Sequence, residues 1–183
     1  MVDAVELVRQ RLVKACAALE RAKVPYAVIG GNAVAAWVAT VDRAAVRNTQ
    51  DVDILLRRDD LPAAKATLES SGFMHRHAAN LDLFLDAADL NPRSAVHIAF
   101  ADEIVKPGEP GPNPKITEST DFGSLRVINL DALVRIKLTA FRRKDQVHLL
   151  DLIGVGLVDE SWTQTLPAVL AARLQSLLDT PDG

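Results

Sequence analysis

Asp51 and Asp53 are the residues whose type and spacing point most directly to chemistry. They open the run Asp51-Val-Asp-Ile-Leu-Leu-Arg57, whose β-branched and leucine content predicts a strand. Residues i and i+2 of a strand project to the same side, so both carboxylates face one point in space. Two like charges that close repel, and each favours protonation unless a cation sits between them. Hard divalent cations such as Mg²⁺ are held in this way, by one or two carboxylates with waters and substrate phosphates. Asp-x-Asp alone describes a solvated strand edge equally well, so its neighbours decide.

Upstream, Ile29-Gly30-Gly31-Asn32-Ala33 reads as a strand that ends in two glycines and opens a helix. Backbone N–H groups at such a start attract anions, and glycine lets a phosphate approach the chain. The spacing is neither a Walker P-loop nor a dinucleotide fingerprint, and a tight turn needing positive φ explains the pair as readily. Arg47-Asn48-Thr49-Gln50 then adds a cation and a hydroxyl just before the acids. An anion cradle, a basic residue and paired carboxylates thus follow in order within 24 residues. That combination suits phosphoryl or nucleotidyl transfer, where catalysis is positioning plus charge neutralisation.

Further along, Lys137 sits among Leu133, Ile136 and Ala140 in a helical pattern, either snorkelling from a buried face or reaching a site. Asp145 and Asp151 are placed to position that lysine or brace the helices. Arg142, Arg143 and Lys144 read as a solvated charge run able to guide a nucleotide or RNA. His148, three residues after Asp145, is expected to make a structural hydrogen bond to it. His75 and His77 share one side of a short strand. With one cysteine, Cys16, and no Cys-x-x-Cys, a structural zinc site lacks ligands, and no Gly-x-Ser-x-Gly elbow supports serine hydrolysis.

The elements that must position these groups follow from periodicity. Val5, Val8, Leu12, Cys16 and Leu19 share one helical face, with Asp3 and Glu6 forming a capping box. A strand ends at the Gly-Gly pair, and a small-residue helix runs through Asn32–Val41. Asp59-Asp60-Leu-Pro starts a helix that stops at Gly72. LDLFLDA and SAVHIAF predict two antiparallel strands joined by the turn-prone ADLNPR, and a loop with four prolines follows over 106–119. SLRVI predicts a last strand, Asn129 an N-cap, and three helices end the chain.

The length of 183 residues fits one domain, and a net charge of −3 excludes a generally cationic, DNA-coating protein. Yet Arg135 to Lys144 holds five cations and no acid. The uncharged run Val24–Val41 is broken by Pro25, Gly30-Gly31 and Asn32, so no membrane span is expected, and no secretory signal is visible. A cytoplasmic protein is the expectation.

Gly30-Gly31-Asn32-Ala33 followed by Arg47-x-Thr49-x-Asp51-Val52-Asp53 resembles the signature of the nucleotidyltransferase superfamily, most nearly its minimal bacterial branch with the AbiEii-type toxins. Leu130-Asp131-Ala132-Leu133-x-x-x-Lys137, Arg143-Lys144-Asp145 and Asp151-Leu152 are similar to the helical part of that branch. The resemblance covers residues 24–153. It implies an α+β (mixed α/β) fold, a small mixed sheet flanked by helices. The implied division is a core over 1–128 and a C-terminal helical part over 129–183 packed on the same domain.

By the same resemblance, Gly30, Gly31, Arg47 and Thr49 bind the nucleotide, Asp51 and Asp53 hold Mg²⁺ or Mn²⁺, and Lys137 reaches the triphosphate or acceptor. The family's third carboxylate falls on the second arm of the hairpin, where this chain carries His97. Imidazole is a poor ligand for Mg²⁺ but a competent base near neutral pH. Asp82 and Glu103 are alternative acids. The implied activity moves NMP from an NTP to a hydroxyl of an RNA such as a tRNA, a protein or a small molecule. A toxin with a cognate antitoxin is the implied setting. The alternative is a weakened or inactive module that binds a nucleotide or partner.

Overall fold

The computed structural model describes residues 4–91 and 94–180, so Asp3 of the expected capping box and Pro92-Arg93 of the expected turn lie outside the described residues. The chain opens with α1 (Ala4–Arg21), whose face of Val8, Leu12, Ala15, Cys16 and Leu19 is buried while Val5 is exposed. Burial pushes the Cys16 thiol up to about 12. Strand β1 (Ala27–Ile29) follows, fully buried, and α2 (Gly30–Ala39) starts at the first glycine. A 3₁₀ turn over Arg43–Ala45 interrupts the polar stretch before β2 (Val52–Leu56).

A second 3₁₀ turn, Arg58–Asp60, runs into α3 (Leu61–Ser70), with Pro62 in its first turn. Asp60 does not cap that helix, because its carboxylate is taken by Arg57. Strands β3 (Phe73–Ala78) and β4 (Leu81–Asp86) form a tight hairpin through Ala79 and Asn80, both at positive φ. β5 (Val96–Phe100) pairs antiparallel with β4, as the sequence predicts. A long loop then reaches β6 (Ser119–Asp121), which pairs with β7 (Arg126–Ile128).

Three helices complete the chain: α4 (Leu130–Ala140), α5 (Arg143–Gly154) and α6 (Ala168–Asp179). Asn129 precedes α4 without capping it by its side chain, since its Oδ1 accepts from the Thr120 hydroxyl. Pro167 separates α6 from a 3₁₀ turn around Trp162, so the expected third helix is split.

The strands form one mixed sheet in the order β3-β4-β5-β2-β1-β7-β6. β1 runs antiparallel to β2 and parallel to β7, and β2 runs parallel to β5. The central strands are near-continuous runs of buried Val, Ile and Leu, as expected where helices cover both faces. Helices α1 and α3 pack together, while α2, α4, α5 and α6 form a second group. Among the described residues, no helix is long and apolar enough to cross a membrane.

Candidate active site

The sheet register builds the site. Ile29, the last residue of β1, pairs with Asp53 of β2, and Asp53 pairs in turn with His97 of β5. The Gly-Gly turn, the second carboxylate and the histidine are thereby set side by side across three strands. Gly30 has φ +68, and a Cβ there would meet Asp53 Oδ2 at 2.0 Å, so only glycine fits. A Cβ on Gly31 would meet Thr49 Oγ1 at 2.6 Å. Asn32 donates from Nδ2 to the Asp51 carbonyl at 2.7 Å, tying the start of α2 to the segment that carries the acids.

Asp51 immediately precedes β2, and Asp51 and Asp53 both line a cavity of about 620 Å³. Gly30, His97, Lys137 and Lys144 line it too. The proline-rich loop contributes Val105, Pro107, Pro110 and Pro112 as an apolar wall. Lys144 Nζ donates to Asp51 Oδ2 at 2.6 Å. His97 Nδ1 stands 3.7 Å from Asp53 Oδ1. The Asp53 carboxylate holds that imidazole above its ordinary pKa, against the opposing effect of partial burial.

Lys137 is buried and donates to Asp145 Oδ1 at 3.0 Å. Burial draws its ammonium below the usual lysine range, with Asp145 opposing the shift. The pair forms because Phe141 closes α4 in the left-handed region, φ 46, and turns the chain back on itself. The first turn of α5 then meets the last turn of α4. Asp145 also accepts from the Arg142 N–H and Nε, so one carboxylate caps α5 and holds the lysine. Braced in this way, Lys137 keeps a fixed place in the cavity wall.

Other expected residues are held by partners of their own. Arg47 forms a two-pronged pair with Asp151 at 2.9–3.0 Å and is not among the residues lining the cavity. That pair braces the segment before β2 against α5. Glu103 is held by Arg58, which also stacks 3.8 Å over the Phe100 ring. Asp82 pairs in register with Ile98, one position out of phase with His97, so its side chain projects to the other face of the sheet from Asp53, although Asp82 is also among the residues lining the cavity. There His75 Nε2 and His77 Nδ1 meet Asp82 Oδ1 at 2.8 and 3.1 Å.

His148 departs from expectation, for Asp145 is already committed to Lys137 and Arg142. His148 Nδ1 is buried without a partner, as is Thr49 Oγ1. Burial, with the nearby Lys137 and Lys144 charges, brings the His148 imidazole down to about 4, so it is neutral at pH 7. The ring lies 3.5 Å from a Cβ built on Gly31. Two further residues line the cavity: Lys144, which the sequence places in a solvated charge run, and Arg173, which reaches it from α6. No local spacing signals either contact.

The donor set suits a hard cation. Asp51 and Asp53 offer carboxylate oxygens at one mouth, and the chain itself seats an ammonium on Asp51. Among the described residues no group of three His, Cys, Asp or Glu is arranged to hold a metal ion. The remaining ligands of a cation bound here would be water and substrate phosphates.

The fold has known counterparts, and the chain is similar to three solved structures at low identity. An antigenic nucleotidyltransferase-like protein from Paracoccidioides brasiliensis aligns with a TM-score of 0.60 at 15% identity, over 97% of this chain and 90% of the other. The antibiotic-resistance factor ANT(2'')-Ia aligns with a TM-score of 0.54 at 15% identity, over 96% and 91%. JHP933 from Helicobacter pylori aligns with a TM-score of 0.53 at 16% identity, over 97% and 74%. No curated protein sequence matches significantly. The model of a family described as uncharacterised nucleotidyltransferase matches residues 2–122, from α1 through the glycine turn, both acids and His97 to β6. The chain belongs to that nucleotidyltransferase family.

Proposed function

We propose that the chain is a divalent-metal-dependent nucleotidyltransferase that moves NMP from an NTP to an acceptor hydroxyl. One observation carries the reading: Gly30, Asp51, Asp53, His97 and Lys137 converge on a single cavity from four separate elements and the turn before β2. In the reaction, the acceptor oxygen attacks the α-phosphorus, the bond from that phosphorus to the bridging oxygen breaks, and pyrophosphate leaves with it. Mg²⁺ or Mn²⁺ on Asp51 and Asp53 would supply the positive charge that lets a polyphosphate sit beside two carboxylates. The backbone N–H groups of the glycine turn offer hydrogen bonds to the phosphate chain, while the buried Thr49 hydroxyl packs behind that turn against Gly31. Lys137, fixed by Asp145, offsets charge developing on the leaving group. With Nδ1 turned to Asp53, His97 presents Nε2 to take the acceptor's proton.

The acceptor, whether an RNA, a protein or a small molecule, meets the apolar proline wall. The AbiEii-type toxin role, a cognate antitoxin and a cytoplasmic setting belong to this reading as extensions of it. Incubation with each α-labelled NTP, Mn²⁺ or Mg²⁺, and bulk RNA or protein tests it. Label transferred by wild type and lost in the Asp51→Asn/Asp53→Asn double variant supports transfer; equal and negligible labelling by both refutes it. Growth arrest on expression, relieved by Asp51→Asn, tests the toxin role.

A second reading, a binding module without turnover, is favoured by His97 standing where the family's third carboxylate is expected. It predicts a rise in Tm with NTP and no pyrophosphate release. Measured pyrophosphate release excludes it.

A further inference from the structure

The carboxylates at the mouth are fewer than two divalent cations require. Two metals 3.5–4 Å apart need bridging and flanking oxygen ligands, roughly a carboxylate cluster rather than a pair. The other acids near the mouth are spoken for. Asp145 is held by Lys137 and Arg142, Asp82 by His75 and His77, and Glu103 by Arg58. Glu109, on the proline-rich loop, accepts from the Lys106 N–H.

Against that shortage stands one intimate contact. Lys144 Nζ lies 2.6 Å from Asp51 Oδ2, and neither side chain is buried, at 52% and 31% exposed. Burial does not force this pair together, unlike Lys137 and Asp145. It is set by backbone placement: Lys144 sits in the first turn of α5, next to Asp145, whose anchoring to Lys137 fixes that turn. Adjacent residues of one helix turn thus send a carboxylate inward and an ammonium outward to the mouth. An ammonium is a compact point charge with three donors, able to share a carboxylate with a metal bound on the other oxygen.

We propose that Lys144 is a resident counter-cation on Asp51 that takes the place of a second metal, so that the site accepts a single divalent cation shared by Asp51 and Asp53. Lys144 acts through Asp51 and is a positioning residue. This inference rests on the nucleotidyltransferase reading for its purpose, but its measurement needs no turnover.

The test is Mn²⁺ titration of the full chain, followed by the electron paramagnetic resonance of free Mn²⁺, with and without an α,β-methylene NTP analogue. Wild type is expected to bind one Mn²⁺ per chain in both conditions. Lys144→Gln, which frees Asp51 Oδ2, is expected to bind Mn²⁺ about tenfold more tightly, and Lys144→Arg to stay near wild type. Both variants change a half-exposed side chain, and matching Tm values verify that they fold. Two Mn²⁺ on wild type, none at all, or equal affinity in Lys144→Gln overturns the inference. One Mn²⁺ with the expected Lys144 dependence, in a chain that transfers no nucleotide, leaves the inference standing and removes the proposed activity. Transfer by a chain that binds two does the reverse.

Discussion

Asp53 and Asp82 lie on β2 and β4, one strand apart in the same sheet, and each stands beside histidine. Both are among the residues lining the cavity, yet their partners differ. Asp82 is buried, and His75 and His77 both close on one of its oxygens. Asp53 is partly open, its histidine is 3.7 Å away, and the cavity lies in front of it. A carboxylate held closely by protein donors contributes to stability; one whose partners stand back is available to a ligand. One register step separates the two roles, because alternation along the strands sends the carboxylates to opposite faces.

The contrast breaks most visibly at Asp53. Asp53→Asn is expected to lower the transfer rate at least about a hundredfold, the scale for losing one key electrostatic group. Its Tm should stay near wild type, read in the same preparation; a large fall in Tm with transfer intact would erase the distinction. Asp82→Ala should do the opposite. It strips two histidines of their shared acceptor and is expected to cost about 1–3 kcal/mol in denaturant unfolding, with transfer by the folded fraction retained.

Acid sharpens the contrast further. Burial alone would raise the Asp82 pKa, but the His75 and His77 hydrogen bonds outweigh it and hold the carboxyl below its ordinary value of 3.8. A depressed native pKa gives stability that is complete above the unfolded value and drains as the pH falls through the native one. Unfolding free energy should therefore decline on the acid side of about pH 4 in wild type, and Asp82→Asn should flatten that decline. The smallest effect belongs to His77→Gln. This side chain is largely exposed, so the change in stability should stay within about 0.5 kcal/mol.

Much of this site was legible in sequence because its geometry is local. The Asp51–Asp53 spacing, the strand around it and the Gly-Gly helix start need only the periods of strand and helix. The seven-stranded mixed sheet with its flanking helices agrees with the fold expected from the resemblance. The short strand expected around His75 and His77 is β3, whereas β6 falls at the end of the stretch expected as loop, since Ser119-Thr-Asp121 is a polar edge strand without an apolar pattern. The Lys144–Asp51 contact spans 93 residues, and no spacing rule reaches that far. The expected bond from His148 to Asp145 failed for a nearer reason: a carboxylate has few lone pairs, and Lys137 and Arg142 had taken them.

Cys16 has a practical consequence. Its side chain is fully buried and its thiol is pushed up to about 12, so thiolate is scarce at neutral pH and maleimide or disulfide reagents meet almost nothing to attack. The native chain behaves toward such reagents as if it had no cysteine. A Gly111→Cys change on the proline-rich loop, where a Cβ meets no atom within 4 Å, would then be the one labelled position. A dye placed there would report a change in the loop's surroundings when nucleotide is added, without first removing a native thiol.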